Sequence, residues 1–219
     1  MNKLIIKGCM LAILSVGVLV PGLNRQALAQ DSTTETIVLI RHGEKTAHEM
    51  GQLSIRGLNR SLAIPDVLLG KFGKPDYLFA PNPAALLTAR DGSGKFCYIR
   101  PLATIEPTAI RLGMPVNTQI GYDDIKGLQA EVTKPAYTKS VIFIAWEHLK
   151  EADFARNILK AYGADASVVP EWLQKDFDSI YIIRLVRSGD KTTATFTLDQ
   201  EGLNDKLSDT DPTATPPVH

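Results

Sequence analysis

The chain has 219 residues, with 24 basic residues, 24 acidic residues and a formal net charge of zero. Such a balance gives no electrostatic footprint for nucleic acid or for an anionic membrane surface, so we expect no nucleic-acid partner. The four histidines and two cysteines are scattered without the spacing of a metal site, and the sequence therefore indicates no metal and no other cofactor.

The amino terminus has the pattern of a secretory signal peptide. Lys3 and Lys7 precede an apolar run over residues 8–20, and small residues at 27–29 provide a cleavage point. The apolar run is shorter than the roughly 20 residues that a membrane-spanning helix needs. We therefore expect removal of residues 1–29, no stable membrane insertion afterwards, and a protein that is exported to the periplasm or secreted.

The remaining chain is predicted to be a single domain. It has 190 residues, of which 21 are basic and 24 acidic, so its net charge is −3. This length suits one α/β domain over residues 30–202. Cys97 is then the one cysteine left, which excludes an intramolecular disulfide. The polar, proline-rich residues 203–219 are predicted to form a disordered tail.

Strands and helices alternate along the predicted domain. In chain order they are strand 36–40, helix 54–62, strand 76–79, helix 104–112, strand 140–146, helix 151–162, and a hairpin of strands 179–187 and 192–198. This order predicts a three-layer α/β fold, in which helices cover both faces of a mainly parallel sheet.

Two segments between these elements contain residues that break regular structure. Pro65 is predicted to interrupt or restart the first helix before residues 66–69. Residues 81–95 contain Pro-Asn-Pro and Asp-Gly-Ser-Gly, which predict an extended surface loop with one short helical turn over 84–89. This loop is either a substrate loop or a surface insertion without a role in function.

Polar residues follow two of the predicted strands directly. Arg41 and His42 end the first strand, Glu147 and His148 follow strand 140–146, and Arg100 stands just before a helix. Ligands of α/β sheets bind at the carboxyl ends of the strands. Arginine forks match phosphate oxygens, and a neutral histidine can attack phosphorus to form a phosphohistidine. A second histidine can donate to a non-bridging oxygen.

Five motifs extend over about residues 36–187, and they are IVLIRHGEKT, LSIRGLNRSL, RPLATIEPTAIRLGMPV, VIFIAWEH and DFDSIYIIRL. Together they resemble the histidine phosphatase superfamily, which has the phosphoglycerate mutase-like fold. The Trp-Glu-His form of the second motif is similar to that of an exported bacterial branch. The resemblance implies that His42 is the nucleophile, that Arg41 and Arg100 bind phosphate, and that His148 completes the pocket.

The proton donor for the leaving oxygen is not identified by the resemblance. The acid phosphatase branch carries Asp directly after the second histidine, where this chain has Leu149. Four other carboxylates are candidates for a proton donor or an orienting group, although each also fits a structural role. They are Glu44, Glu147, Asp123 and Asp124. Without such an acid, the site would favour good leaving groups, such as aryl phosphates and phosphoramidates.

The sequence thus predicts a metal-independent phosphohydrolase that acts on a small phosphorylated substrate through a phosphohistidine on His42. Two alternatives remain open. The first is a phosphotransferase or mutase that uses the same phosphohistidine, and the second is a non-catalytic protein that binds phosphate or phosphoproteins.

Overall fold

A six-stranded sheet forms the middle layer of the protein, whose computed structural model describes residues 32–48, 50–89 and 91–214. The predicted signal peptide lies outside the described residues. The strands of this sheet are β1 (Ser32–Arg41), β2 (Tyr77–Phe79), β5 (Val116–Asn117), β6 (Val141–Trp146), β7 (Ser179–Ser188) and β8 (Lys191–Gln200). A separate hairpin contains β3 (Leu86–Thr88) and β4 (Lys95–Cys97).

The strand order in the sheet is β5-β2-β6-β1-β7-β8. The first four strands in this order run parallel to one another, whereas β7 is antiparallel to β1, and β8 is antiparallel to β7. The predicted terminal hairpin is therefore confirmed. Its first strand enters the sheet beside the end of β1, since Ile40 pairs with Ile180.

Within the described residues, four helices cover the two faces of the sheet, and they are α1 (Ile55–Phe72), α2 (Arg100–Leu112), α3 (Ile125–Val132) and α4 (His148–Ala161). One core contains buried residues of α1 and α2, and the other contains those of α3 and α4. Strand β1 serves both cores, because Val38 faces the first and Ile37 the second. This arrangement confirms the predicted three-layer α/β fold.

Helix α1 continues through Pro65, so the predicted interruption is wrong. Its start is as predicted, because the Ser54 hydroxyl accepts a hydrogen bond from the Gly57 amide. An internal proline costs about 3 kcal/mol. Burial of Ile64 and Leu68 against the sheet contributes roughly 1.5–3 kcal/mol each, which offsets this cost.

Residues 81–95 are not the loop with a helical turn that the sequence predicts. Leu86 pairs with Cys97 in the hairpin of β3 and β4. The predicted Asp-Gly-Ser-Gly turn lies at its tip, where Gly92 has a φ of 73° and the Ala89 amide donates to the Gly94 carbonyl at 2.9 Å. The sequence thus predicts this turn but not the short strands on either side of it.

Helices α2 and α4 begin earlier than predicted, at Arg100 and His148. Pro101 suits the first turn of α2, and the Glu147 side chain caps α4 by accepting from the Leu149 and Lys150 amides at 3.0 and 3.1 Å. Two of the predicted functional residues therefore lie in first helical turns.

Residues 203–210 lie against α1, whereas the sequence predicts a disordered tail over residues 203–219. Arg56 donates to the Leu207 carbonyl at 2.9 Å, and Asn59 donates to the Ser208 and Thr210 carbonyls at 2.7 and 2.9 Å. These bonds join side chains to carbonyl groups, so the composition of the tail does not reveal them. Within the described part of the chain, no helix is long and apolar enough to cross a membrane.

Candidate active site

The structure brings the four main predicted site residues to one cavity of about 340 Å³, at the carboxyl ends of β1 and β6. These residues are Arg41, His42, Arg100 and His148. His42 directly follows β1, and its amide donates to the Trp146 carbonyl at the end of β6, at 3.0 Å. The parallel pairing of these two strands therefore places both histidines at the same edge of the sheet.

His42 is held as a neutral imidazole with one free lone pair. Its Nδ1 lies 2.8 Å from the Gly43 carbonyl oxygen, and because a carbonyl only accepts, the hydrogen is on Nδ1. The lone pair is then on Nε2. Burial lowers the pKa of His42 well below its usual 6.5, and the positive charge of Arg100 lowers it further. His42 is therefore suited to act as a nucleophile.

The turn after His42 is packed tightly between α1 and α2. The Gly43 amide donates to Thr104 Oγ1 at 2.9 Å, and this hydroxyl donates to the Arg100 carbonyl at 2.8 Å. A Cβ on Gly43 would lie only 2.9 Å from the Gly57 carbonyl oxygen, so a larger residue would displace the turn. One hydroxyl thus links the turn that carries the nucleophile to the helix that carries Arg100.

Arg41 is buried and has a structural as well as a chemical role. Its Nη1 donates to the carbonyls of Gln174 and Asp176, both at 2.8 Å, and its guanidinium lies 3.8 Å from the centre of the Phe177 ring. Its Nε is buried and has no hydrogen-bond partner among the described residues. Arg41 therefore holds one wall of the cavity and keeps a donor unpaired.

Arg100 has more unpaired donors than Arg41. Its amide donates to the Gly51 carbonyl at 3.0 Å, which fixes the start of α2. Its Nε and Nη1 are buried with no partner within the described chain, and the guanidinium carbon lies 5.0 Å from the centre of the Tyr98 ring. Unpaired buried donors are costly, so this set is suited to an anion that accepts several hydrogen bonds.

Glu147 contacts His148 and is an ionised carboxylate. Its Oε1 lies 2.6 Å from Nδ1 of His148. Burial alone would raise the pKa of Glu147. The hydrogen bond and the electrostatic attraction between Glu147 and His148 outweigh burial, so the pKa of Glu147 lies below its usual 4.5. Glu147 therefore orients His148 and does not carry a proton to donate at neutral pH.

The other three carboxylates proposed as proton donors are bound elsewhere. Glu44 accepts two hydrogen bonds from Arg60, at 2.8 and 2.9 Å, so it neither orients His42 nor stands free in solvent. Asp123 lies 2.7 Å from Lys150 Nζ, and Asp124 caps α3 by accepting from the Gly127 amide. The structure does not bring these three carboxylates to the cavity, whose lining contains none of them.

Sequence reasoning missed several residues that line the cavity. They are Lys45, Leu87, Thr88, Tyr98, Tyr122 and Gln174. Leu87 and Thr88 belong to β3, so the segment predicted as a possible substrate loop does form part of the wall. Tyr98 stands two residues before Arg100, and this closeness to a predicted phosphate-binding residue could have indicated that Tyr98 lines the cavity. Gln174 stands two residues before DFDSIYIIRL, outside the motif itself. Among the described residues, no group of three or more His, Cys, Asp or Glu side chains is placed to hold a metal ion.

Comparisons with known proteins give likeness of fold only. No protein-family model and no curated protein matches the sequence. A chain from Nakamurella multipartitia that bears the name phosphohistidine phosphatase SixA is 15% identical with a TM-score of 0.49, over 76% of this chain and 95% of that chain. A mycobacterial glucosyl-3-phosphoglycerate phosphatase in complex with inorganic phosphate is 15% identical with a TM-score of 0.49, over 74% and 95%. Phosphoglycerate mutase from Plasmodium falciparum is 14% identical with a TM-score of 0.48, over 75% and 89%. At these values the chemistry must be derived from the side chains of this chain.

Proposed function

We propose that the protein is a metal-independent phosphohydrolase that forms a phosphohistidine on His42. The observation that carries this proposal is the state of His42, whose Nδ1–H is held by the Gly43 carbonyl beside the unpaired donors of Arg100. A buried neutral imidazole next to guanidinium groups has both parts that phosphoryl transfer needs, a nucleophile and positive charge that holds the phosphoryl oxygens.

The first step forms one bond and breaks one. The Nε2 lone pair of His42 attacks phosphorus, while the bond from phosphorus to the leaving oxygen breaks and its electron pair stays on that oxygen. The leaving oxygen takes a proton from water. Arg41, Arg100 and His148 hold the non-bridging oxygens during this transfer.

The second step restores the enzyme. A water molecule attacks the phosphohistidine, the bond between Nε2 and phosphorus breaks, and its electron pair returns to Nε2. The attacking water loses a proton to solvent, and inorganic phosphate leaves. The sum of the two steps is hydrolysis of a phosphate monoester by one water molecule.

The substrate is proposed to be a small phosphorylated compound with a good leaving group. This follows because Glu147 is ionised and Glu44, Asp123 and Asp124 are bound to other groups, so no sequence-proposed acid offers a proton at the cavity. A general acid is worth about 10²–10⁴-fold, and poor leaving groups lose most without it. Rates measured across aryl and alkyl esters should fall steeply as the pKa of the leaving group rises, and equal rates would contradict this part.

The test of the reaction itself uses the purified protein, its His42→Ala variant and an aryl phosphate. We expect phosphate release and an acid-labile phosphohistidine from the unchanged protein, with and without a chelator, and neither from His42→Ala. Equal release by both proteins would refute the proposal. Loss of activity in chelator would refute its metal independence.

A non-catalytic phosphate binder is the second candidate. It is favoured by the same observation on the acids, because a site without a proton donor can bind phosphate and turn over slowly or not at all. This candidate predicts that inorganic phosphate binds while no phosphohistidine can be trapped on His42.

We also propose that the protein works outside the cytoplasm, in the periplasm or after secretion. The support for this is the pattern of residues 1–29, with Lys3 and Lys7 before an apolar run. Amino-terminal sequencing of the protein from its native host should find a start at residue 30. A mature protein that begins at Met1 and stays in the cytoplasm would contradict export.

A further inference from the structure

Tyr98 is a buried tyrosine in the wall of the cavity, and none of the roles above uses it. Its relative exposure is 1%, and its hydroxyl has no hydrogen-bond partner among the described residues. The ring meets that of His42 edge to face at 6.0 Å between centroids. A buried hydroxyl without a partner costs free energy, so this group is expected to bind a ligand atom in the cavity.

The position of Tyr98 is fixed on three sides. Its amide donates to the Ala85 carbonyl at 2.9 Å, which ties it to the segment before β3. The guanidinium of Arg100 lies 5.0 Å from the centre of its ring, and the Tyr122 ring packs edge to face at 5.5 Å. These contacts hold the ring in place before any ligand binds, so the hydroxyl is a preorganised hydrogen-bond donor.

The hydroxyl acts as a hydrogen-bond donor and does not release its proton. Burial raises the pKa of Tyr98 well above its usual value near 10. A phenol of this kind is poorly matched to general acid or base work at neutral pH, which requires a pKa close to that pH. It remains able to donate a hydrogen bond to an anion, and charged acceptors make the stronger bonds.

We propose that Tyr98 binds the phosphoryl group by donating its hydroxyl hydrogen to a non-bridging oxygen, next to the donors of Arg100. This assignment rests on the phosphoryl site proposed above and adds a residue to it. It joins the unpaired Nε and Nη1 of Arg100 and Nε of Arg41 into one set of buried donors around a tetrahedral anion. Tyr98 stabilises charge on the phosphoryl oxygens and leaves protonation of the leaving oxygen to solvent.

The experiment compares Tyr98→Phe with the unchanged protein and with Tyr137→Phe. Tyr137 is a matched control, because it is also buried and its hydroxyl donates to Glu131 at 2.7 Å, outside the cavity. Calorimetry measures the Kd of inorganic phosphate for each protein. Since a hydrogen bond to a charged group is worth about 10-fold or more in affinity, Tyr98→Phe should weaken phosphate binding by about 10- to 100-fold. Tyr137→Phe should leave it unchanged.

A series of aryl phosphates with different leaving groups gives the second readout. Tyr98→Phe should lower kcat/KM by the same factor for every member, because the lost bond is to a non-bridging oxygen. A loss that grows with the pKa of the leaving group would overturn the assignment and make Tyr98 a proton donor. Unchanged phosphate affinity in Tyr98→Phe, with an unchanged melting temperature, would also overturn it.

The phosphate measurement separates this inference from the proposed reaction. If the unchanged protein binds phosphate but forms no phosphohistidine, the hydrolase proposal fails, while weaker binding by Tyr98→Phe still supports the inference. If phosphohistidine forms and Tyr98→Phe binds phosphate as tightly as the unchanged protein, the inference alone fails. A protein that binds no phosphate at all would overturn both.

Discussion

Replacing Arg60 by methionine is expected to destabilise the protein by about 3–5 kcal/mol, because Arg60 is the cation of a buried ion cluster. Its side chain has no solvent exposure. Its Nε and Nη2 donate to the two carboxylate oxygens of Glu44 at 2.9 and 2.8 Å, and its Nη1 donates to Glu201. Its Nη1 also lies 3.4 Å from Asp178 Oδ1. One arginine thus binds three acidic side chains that come from distant parts of the chain.

The magnitude follows from what the substitution leaves behind. Methionine fills much of the same space, so the cost comes from the groups that Arg60 binds. Glu44 would keep only the partly exposed Arg56, 3.4 Å away, and the buried Glu201 carboxyl group would lose the guanidinium that contacts it. Breaking a buried ion pair by removing one partner costs about 3–5 kcal/mol. A domain of this kind is typically stable by about 5–15 kcal/mol in total. The variant should therefore fold, but with a much lower unfolding midpoint.

Urea unfolding followed by tryptophan fluorescence measures the effect, with Arg56→Met as the matched control. Arg56 also lies near Glu44, at 3.4 Å, but its side chain is 30% exposed. A partly exposed pair of this kind is worth about 1 kcal/mol or less. A loss of less than about 1 kcal/mol in Arg60→Met would refute the reasoning, since it would mean that the acidic side chains of this cluster do not need Arg60.

Three further predictions concern Glu201 and two residues of the active site. Burial raises the pKa of Glu201 from its usual 4.5 to about 8, so the folded protein holds a proton that the unfolded chain releases. This proton contributes stability that is fully present below pH 4.5, the usual pKa, and is lost as the pH rises through 8. The stability of the unchanged protein relative to Glu201→Gln should therefore fall between about pH 5 and about pH 9 in urea titrations. Thr104→Val leaves the Gly43 amide unpaired and should cost about 1–3 kcal/mol together with a loss in kcat/KM, whereas Thr104→Ser should restore both. Burial lowers the pKa of His42 well below its usual 6.5, so kcat should not fall to half its value as the pH drops through 6.5. A kcat that titrates with an apparent pKa near 6.5 would contradict the neutral nucleophile.

Local patterns in the sequence identify the parts of the site that follow from the ends of strands. The apolar run that ends at Arg41 and His42 places both at the carboxyl edge of the sheet, and the run before Glu147 does the same for His148. Parallel pairing then brings these two edges together. Such residues are predictable because strand ends and sheet order depend on local patterns and on simple topology.

The fate of Glu44 is not predictable in this way. Glu44 stands two residues after the nucleophile, a position that fits an orienting role. Its partner is instead Arg60, which lies in α1 outside the IVLIRHGEKT motif. Arg60 in turn binds Glu201, 141 residues further along the chain. Nothing in the spacing of either residue indicates this contact, because it depends on how the end of β8 packs against α1. Burial and charge pairing across the fold decide it.

The part of the cavity wall that contains Gln174 has its origin in the direction of one strand. A purely parallel sheet would place the start of every strand at the edge away from the site. Strand β7 is antiparallel, and the pairing of Ile40 with Ile180 puts its start beside the end of β1. The segment that enters β7 must therefore pass next to Arg41, and both of its carbonyl bonds to Nη1 follow from that path. The antiparallel strand thus closes one side of the cavity, and it occupies one nitrogen of Arg41 in doing so. Arg100 keeps two buried nitrogens, Nε and Nη1, without a partner among the described residues, whereas Arg41 keeps only Nε. Arg100 therefore offers more donors to the phosphoryl group.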